Sequence, residues 1–340
     1  MKKPRRPPAG SPEAQSLAID AMLAEDKKLA RGVSKLVVLG IPGSGKATLM
    51  RHLKLIYGSY TNEEREQLTA LIHANIVGAA RKLCASIPEE GFSTAEQQEC
   101  RRIILEPHAT VTETLACAIR TLLNDPSCAT ADLRGMPSFD LLERITTAGY
   151  SPTNEDILQC KTPAPPMDHL LVKGPMQATF SLACPRQGSA SVRKWLSLFA
   201  DIPVVLLLVN MDDYADPRRP SYAQERIRAA TALATHVCGS RDLHSSHLHL
   251  ILNHSAALPR RLAAAPLHDV YPPGAGATPT SDLARVAACL AARFLAAHSG
   301  LPWNYEVQVH IADLRAPGTV LPWLMEAVAQ SYMRPPITCV

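Results

Sequence analysis

The residues from Leu36 to Thr48 carry the densest chemical information in the chain. Leu36-Val37-Val38-Leu39 form a short apolar run, and Gly40-Ile41-Pro42-Gly43-Ser44-Gly45-Lys46-Ala47-Thr48 follow directly. Branched apolar residues favour a buried strand. The glycines let successive backbone N–H groups converge on one anion, and Lys46 opens a helix whose positive dipole end attracts negative charge. Gly-x4-Gly-Lys after a strand is the spacing of a phosphate-binding loop, with Gly40, Gly43, Ser44, Gly45, Lys46, Ala47 and Thr48 as its nucleotide-contacting positions. An ordinary glycine-rich strand-to-helix turn is the competing reading, and the full spacing speaks against it. The motif ordinarily places Ser or Thr straight after the lysine, because that hydroxyl ligates magnesium. Ala47 stands there instead. Thr48 comes next, but one residue further along a helix points about 100° away. The loop therefore favours phosphate and disfavours metal.

Other chemistry-bearing residues are less well ordered. His244, His247 and His249 cluster in sequence, but His247 and His249 alternate on an expected strand. No carboxylate or cysteine completes a ligand set, so a structural or surface role is expected. Cys184 lies close to Arg186, although a buried inert thiol is the simpler reading. Asp212 follows the apolar run Val204 to Val209, as in the second motif of a phosphate-loop ATPase or kinase, but strand-then-aspartate is a common arrangement.

The 340 residues suffice for two domains or for one with a large insertion, and 46% hydrophobic with 19% charged residues describes a globular chain. A net charge of +4 is too small to imply a nucleic-acid partner. The one dense basic patch, Lys2, Lys3, Arg5 and Arg6, sits among prolines and reads as a solvated tail. Nine cysteines without CxxC spacing, and no signal peptide, point to reduced thiols and a cytoplasmic protein. The longest apolar run, Ile202 to Val209, is too short to span a membrane.

Positioning the loop falls to an alternating α/β pattern. Residues 1 to about 12 read as disordered, and Ile19, Met22 and Leu23 mark an amphipathic helix between Glu13 and Arg31. After the loop, Leu49 to Tyr57 continues the helix to Gly58, a suitable C-cap. Thr61 with Glu64 forms a capping box for a second helix, in which Leu68, Leu71, Ile72, Ile76, Ala79 and Leu83 keep the helical period to about Ala85. From Ser93 to about Ile145 the pattern stays helical. The α/β alternation then returns: paired strands at Leu170 to Val172 and Phe180 to Ala183, a helix from Ser191 to Phe199, and a buried strand from Pro203 to Val209. A helix from Tyr222 to Val237, a strand from Leu248 to Asn253 and a helix from Thr280 to Ala297 follow. The last elements are a strand from Tyr305 to Ile311 and a helix from Val320 to Met333, stopped by Pro335-Pro336. The expected fold is a mostly parallel six-stranded sheet with helices on both faces and an inserted all-helical domain. The domains expected are a tail and helix over 1–33, a nucleotide-binding domain over 34–58 and 162–340, and a helical domain over 59–161.

This arrangement resembles the α subunits of heterotrimeric G proteins. The resemblance is carried by Ile19-Asp20 with Glu25-Asp26-Lys27-Lys28, by Lys35-Leu36-Val37-Val38-Leu39-Gly40, by Lys54-Leu55-Ile56-Tyr57-Gly58, and by Thr61-Asn62-Glu63-Glu64. Pro152-Thr153 with Asp156-Ile157-Leu158, Arg193-Lys194-Trp195 and Asp212-Asp213-Tyr214 extend it over nearly the whole chain from about residue 16. It implies a Ras-like GTPase domain beside a helical domain, GTP or GDP and Mg²⁺ as ligands, and a switch that binds a βγ dimer and answers to a G protein-coupled receptor.

Carried over residue by residue, several functional positions are altered. Magnesium would draw on Ala47 and, anchored on Asp156-Ile157-Leu158, on Ala164; two methyl groups supply no ligand oxygen. Lys161 stands at the arginine-finger position, keeping charge but losing the planar fork. In this family itself the finger is worth about 10³ to 10⁵ in rate. Counting back from Arg193-Lys194-Trp195, Gly188 replaces the water-positioning glutamine, with Gln187 beside it. The glycine whose N–H should sense the γ-phosphate is absent in either register. Asn253 begins the base-recognition motif, but Ala256 replaces the carboxylate that reads guanine, at a cost of about 1.5–3 kcal/mol per hydrogen bond. The helical segment between Asp125 and Asp140 is short. Position 2 is Lys and no cysteine precedes Cys84, so no lipid anchor is expected, only weak contact of the basic tail with anionic membrane.

The reading that results is a divergent G protein α subunit with impaired hydrolysis, held at the inner face of the plasma membrane through its partners. The alternatives are a working GTPase using Thr48, Thr162 and Gln187, and a phosphate-loop ATPase or kinase.

Overall fold

The computed structural model describes residues 33–125, 138–161, 169–173, 179–183, 196, 198–200, 202–211, 220–243, 245–253, 288, 291–292, 294, 307–315 and 320–332. The expected disordered start, the helix at Glu13 to Arg31 and the stop at Pro335-Pro336 lie outside these residues, as do most of the helices at Ser191 to Phe199 and Thr280 to Ala297. The chain divides into two compact units. One is Met1–Lys46 with Pro166–Asp313 and Gly318–Val340; the other is Ala47–Pro165 with Leu314–Pro317.

In the first unit six strands form one sheet, β1 (Val33–Gly40), β2 (His169–Lys173), β3 (Thr179–Ala183), β4 (Val204–Asn210), β5 (His247–Asn253) and β6 (Gln308–Ile311), in the order β2-β3-β1-β4-β5-β6. β2 and β3 pair antiparallel at one edge, and every other pairing is parallel. β1 lies between β3 and β4, with Gly40 opposite Leu208, so the loop leaves the middle of the sheet at the carboxyl ends of the parallel strands. That is where open α/β sheets bind ligands.

Successive strand residues point to opposite faces. Val37, Leu39, Val205, Leu207, Val209, Leu248, Leu250 and Leu252 join one cluster with Ile227, Ala230, Leu233, Ala234 and Val237 of helix Pro220–Cys238. The intervening Leu36, Val38, Leu206, Leu208 and Ile251 are buried too. On their face the final helix, Leu321–Tyr332, packs against β1, β4 and β5 with Trp323, Leu324 and Ala327 inward. Burial on both faces explains why β4 reads as a continuous apolar run rather than an alternating one.

Among the described residues the helices with defined bounds are, in chain order, α1 (Lys46–Tyr57), α2 (Asn62–Ser86), α3 (Ala95–Leu105), α4 (Glu113–Asn124), α5 (Phe139–Arg144), α6 (Asn154–Gln159), α7 (Pro220–Cys238) and α8 (Leu321–Tyr332). α2 to α6 enclose a second core of Ile72, Ile76, Leu83, Ile104, Leu115, Ile119 and Leu142. Their starts are chemically specified. Thr61 with Glu64, Thr94 with Gln97 and Thr153 with Asp156 all form reciprocal capping boxes. One detail departs from expectation. Gly58 ends α1 without entering the left-handed region, which among the described glycines is confined to Gly43, Gly45 and Gly149; its N–H continues to Lys54 O at 3.0 Å.

Candidate functional site

The loop after β1 is shaped by three glycines with different duties. A Cβ on Gly40 would stand 2.3 Å from Ser44 Oγ and 2.7 Å from Leu208 O, so only a hydrogen fits there. Gly43 and Gly45 have φ of 81° and 103°, a region that glycine enters without steric cost. The Ser44 N–H donates to Ile41 O at 3.2 Å and closes the turn. Lys46 begins α1 and folds its ammonium back over the loop, donating to Gly40 O at 2.5 Å and Ile41 O at 3.0 Å. The Ser44 side chain is fully buried and its hydroxyl has no hydrogen-bond partner.

Two neighbouring strands brace the loop. Asn253, 1% exposed at the end of β5, donates from Nδ2 to Ser44 O at 3.0 Å. Asn210, its register partner at the end of β4, approaches Gly43 O at 3.4 Å. Two asparagines on adjacent strands thus hold consecutive carbonyls of the loop. Asn253 was expected to recognise a base; the structure gives its amide this contact with the loop. Asn210 carried no motif that would have singled it out. Its signal is positional, a polar residue closing a buried apolar run.

Ala47 and Thr48 are half-buried in the first turn of α1, and Ala47 offers a methyl group where an ion would need oxygen. Magnesium, which the family resemblance implies, takes near-octahedral oxygen ligands. The residues present do not fit it. Lys161 is exposed just beyond α6, where its carbonyl accepts from Asn75 Nδ2 at 2.9 Å. Thr162, Ala164, Cys184, Arg186, Gln187, Gly188, Asp212, His244 and Ala256 lie outside the described residues. Of the sequence's histidine cluster, His247 is half-buried and His249 fully buried; on the opposite strand His249 finds His310, with Nδ1 2.9 Å from Nε2 and stacked rings. No group of three or more His, Cys, Asp or Glu among the described residues is placed to hold a metal. None of the described helices is long and apolar enough to cross a membrane.

A family model for the G-protein alpha subunit matches residues 13–316. The chain belongs to the G-protein alpha subunit family. Relatives include a guanine nucleotide-binding protein subunit alpha of Coprinellus congregatus, 25% identical over 257 residues that span 71% of this chain and 72% of the relative. The alpha-1 subunit of Mycosarcoma maydis is 26% identical over 278 residues, 76% of this chain and 78% of its own length. The alpha-16 subunit of Caenorhabditis briggsae is 23% identical over the same length and shares. The Ras-like architecture of the G-protein alpha subunit family, a parallel sheet with a helical insert, is the architecture found here.

Proposed function

We propose that this chain is a guanine-nucleotide-binding subunit of heterotrimeric G protein signalling, and that it binds nucleotide without efficient magnesium-dependent hydrolysis. The braced loop carries the reading. Asn210 and Asn253 fix the carbonyls of Gly43 and Ser44, and Lys46 stands at the start of α1 where a phosphate would meet both its charge and the helix dipole. Family membership supports guanine nucleotide as the ligand. It also supports heterotrimeric G protein partners, read here as a βγ dimer and a receptor, and those partners would hold the chain at the inner face of the plasma membrane. The altered positions Ala47, Ala164, Lys161 and Gly188 support impaired hydrolysis: ligand oxygens, planar fork and amide side chain are all replaced.

Calorimetric titration with GDP and GTP, in magnesium and in chelator, tests the binding. Saturable binding of either nucleotide is expected, and silence toward both at millimolar concentration overturns it. Single-turnover hydrolysis of labelled GTP tests the rest: a rate at the magnesium-free background is expected, and a rate well above it returns the chain to the working GTPases.

A further inference from the structure

Two imidazoles interrupt the apolar face that the sheet turns toward α8. His249 of β5 is fully buried and His310 of β6 half-buried, on the face that carries Leu206 and Ile251. They are diagonal neighbours across the parallel pair, since His249 stands opposite Gln308 and Ile251 opposite His310. His249 Nδ1 and His310 Nε2 are 2.9 Å apart, and the ring of Trp323 from α8 stands 6.0 Å from that of His310, centre to centre. A hydrogen bond between two imidazoles needs one facing nitrogen with a proton and the other without. The pair therefore holds together while one proton lies between them; when both rings are charged, both facing nitrogens are donors and repel. Burial holds His310 below the usual imidazole range, with Glu326 of α8 opposing. The other elements on this face add little charge. Among the described residues, β1 and β4 bring no charged side chain to it, β5 brings His247 two residues before His249, and Glu326 is the one charged residue of α8. A depressed folded value leaves the pair uncharged at neutral pH, and what it contributes is full above about pH 6.5 and lost as pH falls below. β6 is also lightly held otherwise, being four residues long, last in the strand order and paired with β5.

We propose that His249 and His310 form an acid-released latch, which fastens β6, and the α8 face above it, to β5 at neutral pH and opens when both rings carry a proton. β5 runs on to Asn253, whose amide holds Ser44 O, so opening is expected to speed the release of GDP; that last step rests on the nucleotide-binding reading above. Hydrogen exchange of the full chain from about pH 8 to pH 5, expressed as protection factors, tests the latch with wild type, His310→Gln, His249→Asn and Glu326→Gln. The glutamine and asparagine amides reach the places of Nε2 and Nδ1 and do not titrate. Wild type is expected to lose protection in β6 and α8 about fivefold as pH falls below about 6.5, the worth of one hydrogen bond. Both histidine variants should lack that step, and Glu326→Gln should move it to lower pH, because the carboxylate favours the charged ring. His73 of α2, also depressed by burial, is common to every chain and cancels in the comparison. Circular dichroism reports whether each variant folds; should one histidine variant not fold, the other decides. Protection in wild-type β6 and α8 that stays flat across the range overturns the latch, and so does a step of unchanged size and midpoint in the folded histidine variants. GDP release from the same chains tests the link to the loop: release that quickens in acid in wild type and not in His310→Gln supports it, and release indifferent to pH while the protection step is present overturns the link alone. A chain that shows the step but ignores GDP overturns the nucleotide reading and supports the latch.

Discussion

In the helical unit, the buried Asp156 carboxylate accepts from both Nη atoms of Arg144, from the Tyr150 hydroxyl and from the Thr153 amide, each at 2.9 Å. In the sheet unit, the equally buried Ser44 hydroxyl has no hydrogen-bond partner, beside a lysine that leans on carbonyls of its own loop. The first arrangement is complete within the protein. It fastens α5 to the capping box of α6, and it needs nothing further. The second leaves one buried hydroxyl unpaired in the loop at the carboxyl ends of the strands. An unsatisfied buried polar group costs about 1–3 kcal/mol, so its persistence at a site is informative in a way that a satisfied network is not. Other buried polar atoms without a hydrogen-bond partner, such as Arg101 Nε in the helical unit, lie away from the loop; Ser44 is the one within it.

The largest way to break this comparison is in the helical unit. Asp156→Ala removes the acceptor of Tyr150, of the α6 cap and of both Nη atoms of Arg144, whose Nε keeps Asp140. It is expected to cost about 3 kcal/mol, the low end for a broken buried pair because water reaches Arg144, whose side chain is 34% exposed. Denaturant unfolding followed by hydrogen exchange should place the loss in α5 and α6, with nucleotide binding little changed.

Gly40→Ala is the converse. The new methyl meets Ser44 Oγ and the Leu208 carbonyl, which is strand backbone and cannot yield, so about 1–3 kcal/mol and all nucleotide response should go while the helical unit keeps its exchange protection. Asn253→Ala is milder. It frees the buried Ser44 carbonyl of its donor at about 1 kcal/mol and should weaken GDP without abolishing it, as a titration would show.

The smallest effect is read in pH. Burial pushes the Asp156 carboxyl up, but the bonds from Arg144, Thr153 and Tyr150 outweigh it and hold it below the usual carboxylate range. A depressed folded value means stability that is full above the unfolded value of about 3.9 and is lost as pH falls through the folded one. His310 is also depressed, by burial, with Glu326 opposing. Its unfolded imidazole takes up a proton near pH ~6.5, so stability is full above that and declines as pH falls below it. A charge on both stacked rings would set like charges side by side. Exchange protection in β5, β6 and α8 should therefore begin to fall below about pH 6.5; the helical unit declines in the same window through His73 of α2, also depressed by burial, and loses the Asp156 contribution only below about pH 4.

Much of the fold was legible because the signals are local. The run Val204 to Val209 could only be a buried strand, and Thr61 with Glu64 announced the start of α2 by a bond three residues long. Strand order was not legible, since alternation of helices and strands does not say that β4 lies between β1 and β5. At the site, the loop motif was read from spacing, while its braces were not. Asn253 was singled out as a base-recognition position, its contact with the loop was not foreseen, and Asn210 belonged to no motif.

By itself the sequence made the backbone of the loop accessible, for Gly43 and Gly45 take positive φ without steric cost. Tertiary structure decided which distant side chains reach it. Asn210 and Asn253 converge on it only after β4 and β5 have paired beside β1. Dihedral preference acts within a few residues of chain, whereas convergence of remote groups follows from the collective burial of apolar faces.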